Sequence, residues 1–166
     1  MEHPLSQFRY CPKCGSEHFD IHNEKSKQCK DCGFVYYFNP SSASVALILN
    51  KQNELLVCRR AKEPAKGTLD LPGGFIDMAE TGEEGVAREV KEETGLTLTS
   101  YKLRGLVTFI SDKCEPELMC VFTANEYIGE LTECNEGELY WIDKAVVPTL
   151  PTWEGDRVFL DLLLSG

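Results

Sequence analysis

The strongest constraint on this chain is a run of glutamates at helical spacing. Glu89, Glu92 and Glu93 stand at i, i+3 and i+4. On an α-helix they share one face, with neighbouring Cβ atoms about 5–6 Å apart. Carboxylates that close repel one another, and a cluster of hard oxygen donors is what Mg²⁺ or Mn²⁺ takes. Val86, Ala87 and Val90 fall on the adjoining face, so one side of the helix suits a core and the next a metal. Three glutamates alone more often mark a solvated surface helix. The surroundings overturn that reading. Gly73-Gly74 precede the helix, and glycines there let backbone approach a ligand closely. Arg88 can grip a carboxylate through two N–H groups. Glu80 stands at the helix entrance, where the helix dipole favours negative charge.

The pattern around this helix predicts a mixed α/β fold. Thr81 and Glu84 have the form of a capping box and Gly95 is a suitable stop, which predicts a helix over 81–94. Gly82 and Gly85 lie inside it and should weaken it by about 1 kcal/mol each. Residues 44–49 are apolar enough for a buried strand, Asn50 to Asn53 make a turn, and 54–58 return, which predicts a hairpin. A basic loop with Arg59, Arg60, Lys62, Pro64 and Lys66 follows, then Leu69-Asp70-Leu71-Pro72-Gly73-Gly74. Further strands are expected at 102–110, 118–125 and 139–142. A last helix is expected over 156–164, with Val158, Phe159, Leu162 and Leu163 on its apolar side. Strands with interspersed helices suggest a mixed sheet covered by helices.

Four of the eight cysteines form two matching knuckles, Cys11-Pro12-Lys13-Cys14-Gly15 and Cys29-Lys30-Asp31-Cys32-Gly33. Four thiolates give Zn²⁺ a closed tetrahedral shell, so the site should be structural. His18 and His22 are then not needed as ligands. Cys58, Cys114, Cys120 and Cys134 read as reduced thiols, commonly small buried hydrophobes. Asn39-Pro40-Ser41-Ser42 is a natural boundary. It predicts a zinc-binding module over 1–40 and a larger domain over 41–166.

Charge narrows the partners. Basic and acidic residues balance up to residue 40, so the net charge of -10 lies beyond it. That disfavours a nucleic-acid backbone. An acidic protein that handles an anionic phosphate substrate recruits metal ions. No apolar run reaches the roughly 20 residues of a membrane span, and no secretion signal opens the chain. The expected compartment is the cytoplasm.

Gly74, five residues, Glu80, seven residues, then Arg88-Glu89-Val90-Lys91-Glu92-Glu93-Thr94-Gly95-Leu96 resembles the signature of the Nudix hydrolases at every defined position. The resemblance covers the chain from about Ala43 onward. It implies an α/β/α sandwich with a mixed sheet, and hydrolysis of a diphosphate bond in a nucleoside diphosphate linked to another group. Glu89, Glu92 and Glu93, with the Gly73 carbonyl, resemble the ligands of one to three Mg²⁺ or Mn²⁺ ions. Arg88 and Glu80 resemble the residues that orient the loop and helix, with Gly74 and Gly95 as fixed points of the motif. A further glutamate, Glu136 with Glu133 second, is expected as base or ligand. Arg59, Arg60 and Gly74 are expected to meet substrate, with Lys62 and Lys66 able to offset phosphate charge. The knuckles resemble the zinc ribbon that precedes this domain in NADH pyrophosphatases, with residues 34–38 as its last strand.

Substrate is less legible. The proline-rich motif of NADH pyrophosphatases is replaced by Thr99-Ser100-Tyr101-Lys102-Leu103-Arg104-Gly105. Ser111 and Asp112 stand where many ADP-ribose hydrolases have proline. ADP-ribose, a nucleotide sugar or a dinucleotide are the leading expectations. Phe109, Phe122, Tyr127 and Trp153 are candidates to stack on a base, although aromatics more often fill cores. Two other classes stay open, a nucleotide sensor on this fold and an RNA-end hydrolase using the ribbon as its contact. A homodimer is common in the family.

Overall fold

The computed structural model describes residues 2–63, 65–110, 115–152, 156–157 and 160–161. They divide into two compact units, Met1–Pro40 and Ser41–Gly166. In the first, β1 (Phe19–Asn23), β2 (Ser26–Cys29) and β3 (Val35–Tyr37) form an antiparallel sheet in that order. Its apolar core clusters Cys11, Phe19 and Cys29 with Phe34 packed against them, and Leu5 is fully buried as well. A core that small does not hold a fold by burial alone. The knuckles supply the rest: Gly15 N–H donates to Cys11 O and Gly33 N–H to Cys29 O. Both glycines turn the chain at positive φ, +78° and +73°, where a side chain is strained.

The second unit is built on β4 (Ser41–Ile48). It pairs parallel with β9 (Glu117–Ile128) and antiparallel with β7 (Gly73–Phe75). β8 (Thr97–Phe109) closes the sheet antiparallel to β9, giving the order β7-β4-β9-β8. A second, antiparallel sheet has the order β10-β5-β6, from Gly137–Asp143, Glu54–Arg60 and Leu69–Asp70. Every residue of β4 from Ala43 to Ile48 is buried, so the strand feeds two cores by alternation. Val45 and Leu47 join Leu55, Val57, Val121, Val147 and Leu160. Ala46 and Ile48 join Leu56, Leu96, Phe122 and, from helix α1 (Gly82–Thr94), Val86 and Val90. This is the mixed α/β sandwich expected. Residues 156, 157, 160 and 161 are helical; Val158, Phe159, Leu162 and Leu163 of the expected last helix lie outside the described residues, as do Pro64, Ser111, Asp112, Cys114 and Trp153. Among the described residues no helix is long and apolar enough to cross a membrane.

The expected hairpin of 44–49 with 54–58 does not form. The turn is present, tied by Asn50 Oδ1 accepting from Gln52 and Glu54 N–H, but the strands enter different sheets and share only the bridge Leu49–Leu55. The reason is that β4 is buried on both faces and pairs with β9 along its length, while β5 is paired on both edges by β10 and β6. Period-2 reasoning on two adjacent apolar runs does not reveal that.

Helix α1 follows its signals. Thr81 Oγ1 accepts from Glu84 N–H while the Glu84 side chain accepts from Thr81 N–H. Gly95, at φ +80°, donates to Lys91 O. The interior glycines, costly by propensity, have a packing reason. A Cβ on Gly85 would stand 3.3 Å from Ile76 Cγ1 and 3.4 Å from Ser44 Oγ, and one on Gly82 3.3 Å from Cys120 Sγ. They let the helix lie close on the sheet. Replacing Thr81 by Ala is expected to cost about 1 kcal/mol of stability, read as a lower urea midpoint at unchanged slope.

Candidate active site

β7 and helix α1 bring the glutamates against backbone. Gly73 N–H donates to Glu93 Oε2 at 3.0 Å. A Cβ on Gly73 would lie 2.2 Å from Ser44 O, so only glycine lets β7 pair here with β4. A Cβ on Gly74 would lie 2.7 Å from the Glu89 carboxyl carbon, so that residue leaves room for the carboxylate.

Arg88 holds the motif together. Its Nε donates to Glu80 Oε1 at 2.6 Å and its Nη2 to Glu80 Oε2 at 2.9 Å. Nη1 donates to Glu89 Oε1 at 2.8 Å and to Glu92 Oε2 at 3.3 Å. Nη2 also reaches Phe75 O at 3.1 Å. The guanidinium beside Glu80 holds that carboxyl below its usual range, helped by the Asp77 N–H.

A cleft of about 400 Å³ opens over these groups, lined among others by Gly73, Gly74, Glu89, Glu93, Glu136 and Asp70. Burial pushes the Glu93 carboxyl up to about 8, and the charges of Glu136, Glu89 and Asp70 push the same way against the lowering effect of Gly73 N–H. Without a cation this carboxyl keeps its proton. Oxygen donors that repel one another in a cleft are the kind of set a hard divalent ion takes. Glu92 differs. Its side chain is 62 % exposed and turned to Arg88, and it does not line the cleft.

Other expected residues separate. Glu136 lines the cleft from the loop before β10, where its carbonyl accepts Ala61 N–H at 2.8 Å; Glu133 does not line it. Arg60 lines the cleft in an ion pair with Asp70 at 2.9 Å. Arg59 does not line the cleft. Strand alternation turns it away from Cys58 and Arg60, and its guanidinium lies 5.2 Å from the Tyr140 ring centre. Lys62 and Lys66 are exposed outside the cleft lining. Phe122 is core, Phe109 packs on the core, and Tyr127 stacks on Trp141. The aromatic at the cleft is Phe75, 61 % exposed, passed over because it follows the glycines directly. Asp70 was also missed, although a charge between Leu69 and Leu71 in a short strand must face away from their core.

In the first unit the four cysteine sulfurs lie within 4.8 Å of one another. Cys11 and Cys32 Sγ are 3.7 Å apart, and Cys14 and Cys29 Sγ 3.6 Å. Four sulfurs at 2.3 Å around tetrahedral zinc stand about 3.8 Å apart, so the cluster fits that ion. Backbone N–H groups of Cys32 and Asp31 hold the Cys29 thiol below its usual range, which suits a thiolate ligand. Ser16 and His18 both bond Asp31 and brace the two knuckles.

Comparison with known proteins agrees with this geometry. The NUDIX domain pattern matches residues 39–163, three quarters of the chain. The chain belongs to the Nudix family. The NADH pyrophosphatase zinc ribbon domain matches residues 6–37, so this Nudix-family chain carries an N-terminal ribbon. It is 50 % identical over 131 residues to an ADP-ribose pyrophosphatase of Methanocaldococcus jannaschii, covering 76 % of this chain and 75 % of that one. It is 30 % identical over 166 residues to the NAD-capped RNA hydrolase NudC of Vibrio vulnificus, covering 98 % of this chain and 61 % of the relative. It thus spans about three fifths of the length of such relatives. Among solved structures, a MutT NUDIX hydrolase from Burkholderia pseudomallei superposes with a TM-score of 0.68 at 27 % identity, covering 75 % of this chain and 98 % of that one.

The raised proton affinity of Glu93 has a measurable consequence. Between the ordinary carboxyl value of 4.5 and about 8 the folded, metal-free protein binds a proton that the unfolded chain does not. Its stability therefore falls as pH rises through that window. A divalent ion must displace this proton, so Mn²⁺ affinity is expected to rise about tenfold per pH unit up to about 8 and then level off. Calorimetry in two buffers of different ionisation heat should detect the released proton near pH 6.5. A pH-independent affinity would contradict the assignment.

Proposed function

We propose that this chain hydrolyses a diphosphate bond in a nucleoside diphosphate linked to a second group, with ADP-ribose as leading substrate and Mg²⁺ or Mn²⁺ as cofactor. The observation that carries this reading is the cleft that gathers Glu89, Glu93 and Glu136 beside Gly73-Gly74 and the exposed ring of Phe75. Glu89, Glu93 and the Gly73 carbonyl would hold the ions, with Glu92 joining through the shared helix face. Bound there, divalent ions neutralise phosphate oxygens and stabilise the charge that develops on them.

The chain's own residues supply the rest. Glu136 faces the same cleft as Glu93 and is placed to take a proton from the attacking water. Arg60, fixed by Asp70, brings positive charge to the diphosphate. Phe75 offers a flat apolar surface to the nucleobase. Arg88 keeps the carboxylates in register without meeting substrate. In the ribbon, zinc is structural, because all four ligand positions are taken by cysteine.

The choice of ADP-ribose rests on the relative at 50 % identity. A second reading, an RNA-end hydrolase, is favoured by the relatives named NAD-capped RNA hydrolases, which match nearly the whole chain, ribbon included, at 27–30 % identity. RNA binding that weakens steeply with salt would support it.

The test is a product assay with Mg²⁺ on ADP-ribose, NADH, nucleotide sugars, dinucleotides, nucleoside triphosphates and capped RNA. Glu93→Gln is expected to lower turnover by about 10²-fold or more while circular dichroism and zinc content stay unchanged. Unaltered turnover in that variant would sink the assignment.

A further inference from the structure

Gly95 ends helix α1, and its missing side chain also makes room for another part of the chain. A Cβ there would lie 2.7 Å from Thr132 Cγ2 and 2.8 Å from Thr132 Oγ1 and Glu130 O. The Thr132 side chain thus stands at the notch that glycine leaves. Thr132 N–H donates to Thr94 O at 3.0 Å. Gly129 approaches the same helix end: a Cβ on it would stand 3.0 Å from Gly95 O, and its φ of +97° suits glycine. Leu131 packs against the core of Ala46, Ile48 and Phe122. The segment 129–132 is therefore seated on the end of the helix, just past Glu93.

The chain is pinned a second time shortly afterwards. Glu136 O accepts Ala61 N–H at 2.8 Å. Gly137 then opens β10 opposite Arg60, so close to β5 that a Cβ would collide with Arg59 O. Glu133, Cys134 and Asn135 alone separate the two pins. Fully extended, the chain from Thr132 to Glu136 reaches about 14 Å. One pin adjoins Glu93 and the other carries Glu136, and both carboxylates line one cleft.

We propose that Thr132 is a positioning residue that fixes Glu136 relative to Glu93 by clamping their connecting loop to the end of helix α1. The proposal rests on the hydrolysis reading with Glu136 as base. Thr132 does not line the cleft, so it acts through Glu136 and not on substrate. It acts by shape, because a branched side chain fills the space beside Gly95 and has little rotamer freedom there. Emptying the notch leaves the backbone bond to Thr94 O to hold the loop at that end. Glu136 then spends more time where it cannot take the proton, and a misplacement of about 1 Å is enough to slow such a step. Glu89 and Glu93 keep their own contacts with Arg88 and Gly73 N–H, so the metal-holding groups stay in place.

The experiment compares Thr132→Gly and Thr132→Val in the zinc- and Mg²⁺-loaded chain, with Glu136→Gln completing a double-mutant cycle. Thr132→Gly is expected to lower kcat for ADP-ribose about tenfold, with KM, Mn²⁺ affinity and circular dichroism unchanged. Thr132→Val keeps both branches and should stay within about twofold of the unaltered chain. In the Glu136→Gln background Thr132→Gly should cause no further loss, because the group it positions is gone. Equal loss in both backgrounds would overturn the positioning role, and equal loss in the valine and glycine variants would overturn the fit by shape. Full turnover in Glu136→Gln would instead strike the base reading. Amide exchange decides the clamp without any turnover. Ala61 N–H, bonded to Glu136 O, should exchange about tenfold faster in Thr132→Gly, while Val90 N–H within the helix keeps its rate. Unchanged exchange at Ala61 would overturn the clamp whether or not a substrate is found.

Discussion

The site depends on one guanidinium. Arg88 bonds Glu80, which enters the helix, Phe75 O, which belongs to β7, and Glu89 and Glu92, which belong to the acidic face. Charge-assisted bonds of this kind are roughly twice as strong as neutral ones, and the planar fork fixes direction as well as energy. Loop, strand and helix are thereby tied at one point. Without it, the repulsion among Glu89, Glu92 and Glu93 would have no positive partner within the motif. A lysine would keep the charge but could not reach Glu80 bidentately while still bonding Phe75 O.

The glycines before the helix work on the same geometry from the other side. Gly73 lets β7 close on β4 at Ser44 O, and Gly74 yields the space that the Glu89 carboxyl occupies. Gly85 and Gly82 bring the helix down onto Ile76, Ser44 and Cys120. One position without a side chain thus sets the spacing of two strands, and three set the distance between sheet and helix. The ribbon solves a different problem. Its small core cannot repay the entropy of ordering forty residues, and a bound metal makes ligation free energy into folding free energy.

Where chemistry lies in local spacing, it was legible in the sequence. The capping box, the Gly95 stop, the shared face of the glutamates and the knuckle cysteines each involve residues a few positions apart, and the periodicity of a helix or the reach of a turn decides their arrangement. What was not legible depends on which strands meet. The runs 44–49 and 54–58 read as partners, yet β4 pairs with β9 and β7 while β5 pairs with β10 and β6. Arg59 and Arg60 read alike, and only the pleat of β5 sends one to the cleft and the other over Tyr140. Glu92 and Glu93 are neighbours of the same type. Burial makes Glu93 hard to ionise against the opposing pull of the Gly73 N–H, while Glu92 stays largely in solvent.

The acidic character of the chain now has a physical logic. An anionic diphosphate approaching Glu89, Glu93, Glu136 and Asp70 meets repulsion that only cations relieve. The repulsion already resides in the protein, where burial and its three acidic neighbours raise the Glu93 proton affinity. On the proposed reading, a divalent ion that displaced this proton would relieve the carboxylates and attract the phosphates together. Metal and substrate affinity would then be coupled through one strained charge distribution, each stabilising what the other needs. A cleft lined instead by lysines would hold the diphosphate without a metal, and would stabilise the bound substrate as much as the transition state, which adds nothing to the rate of the chemical step.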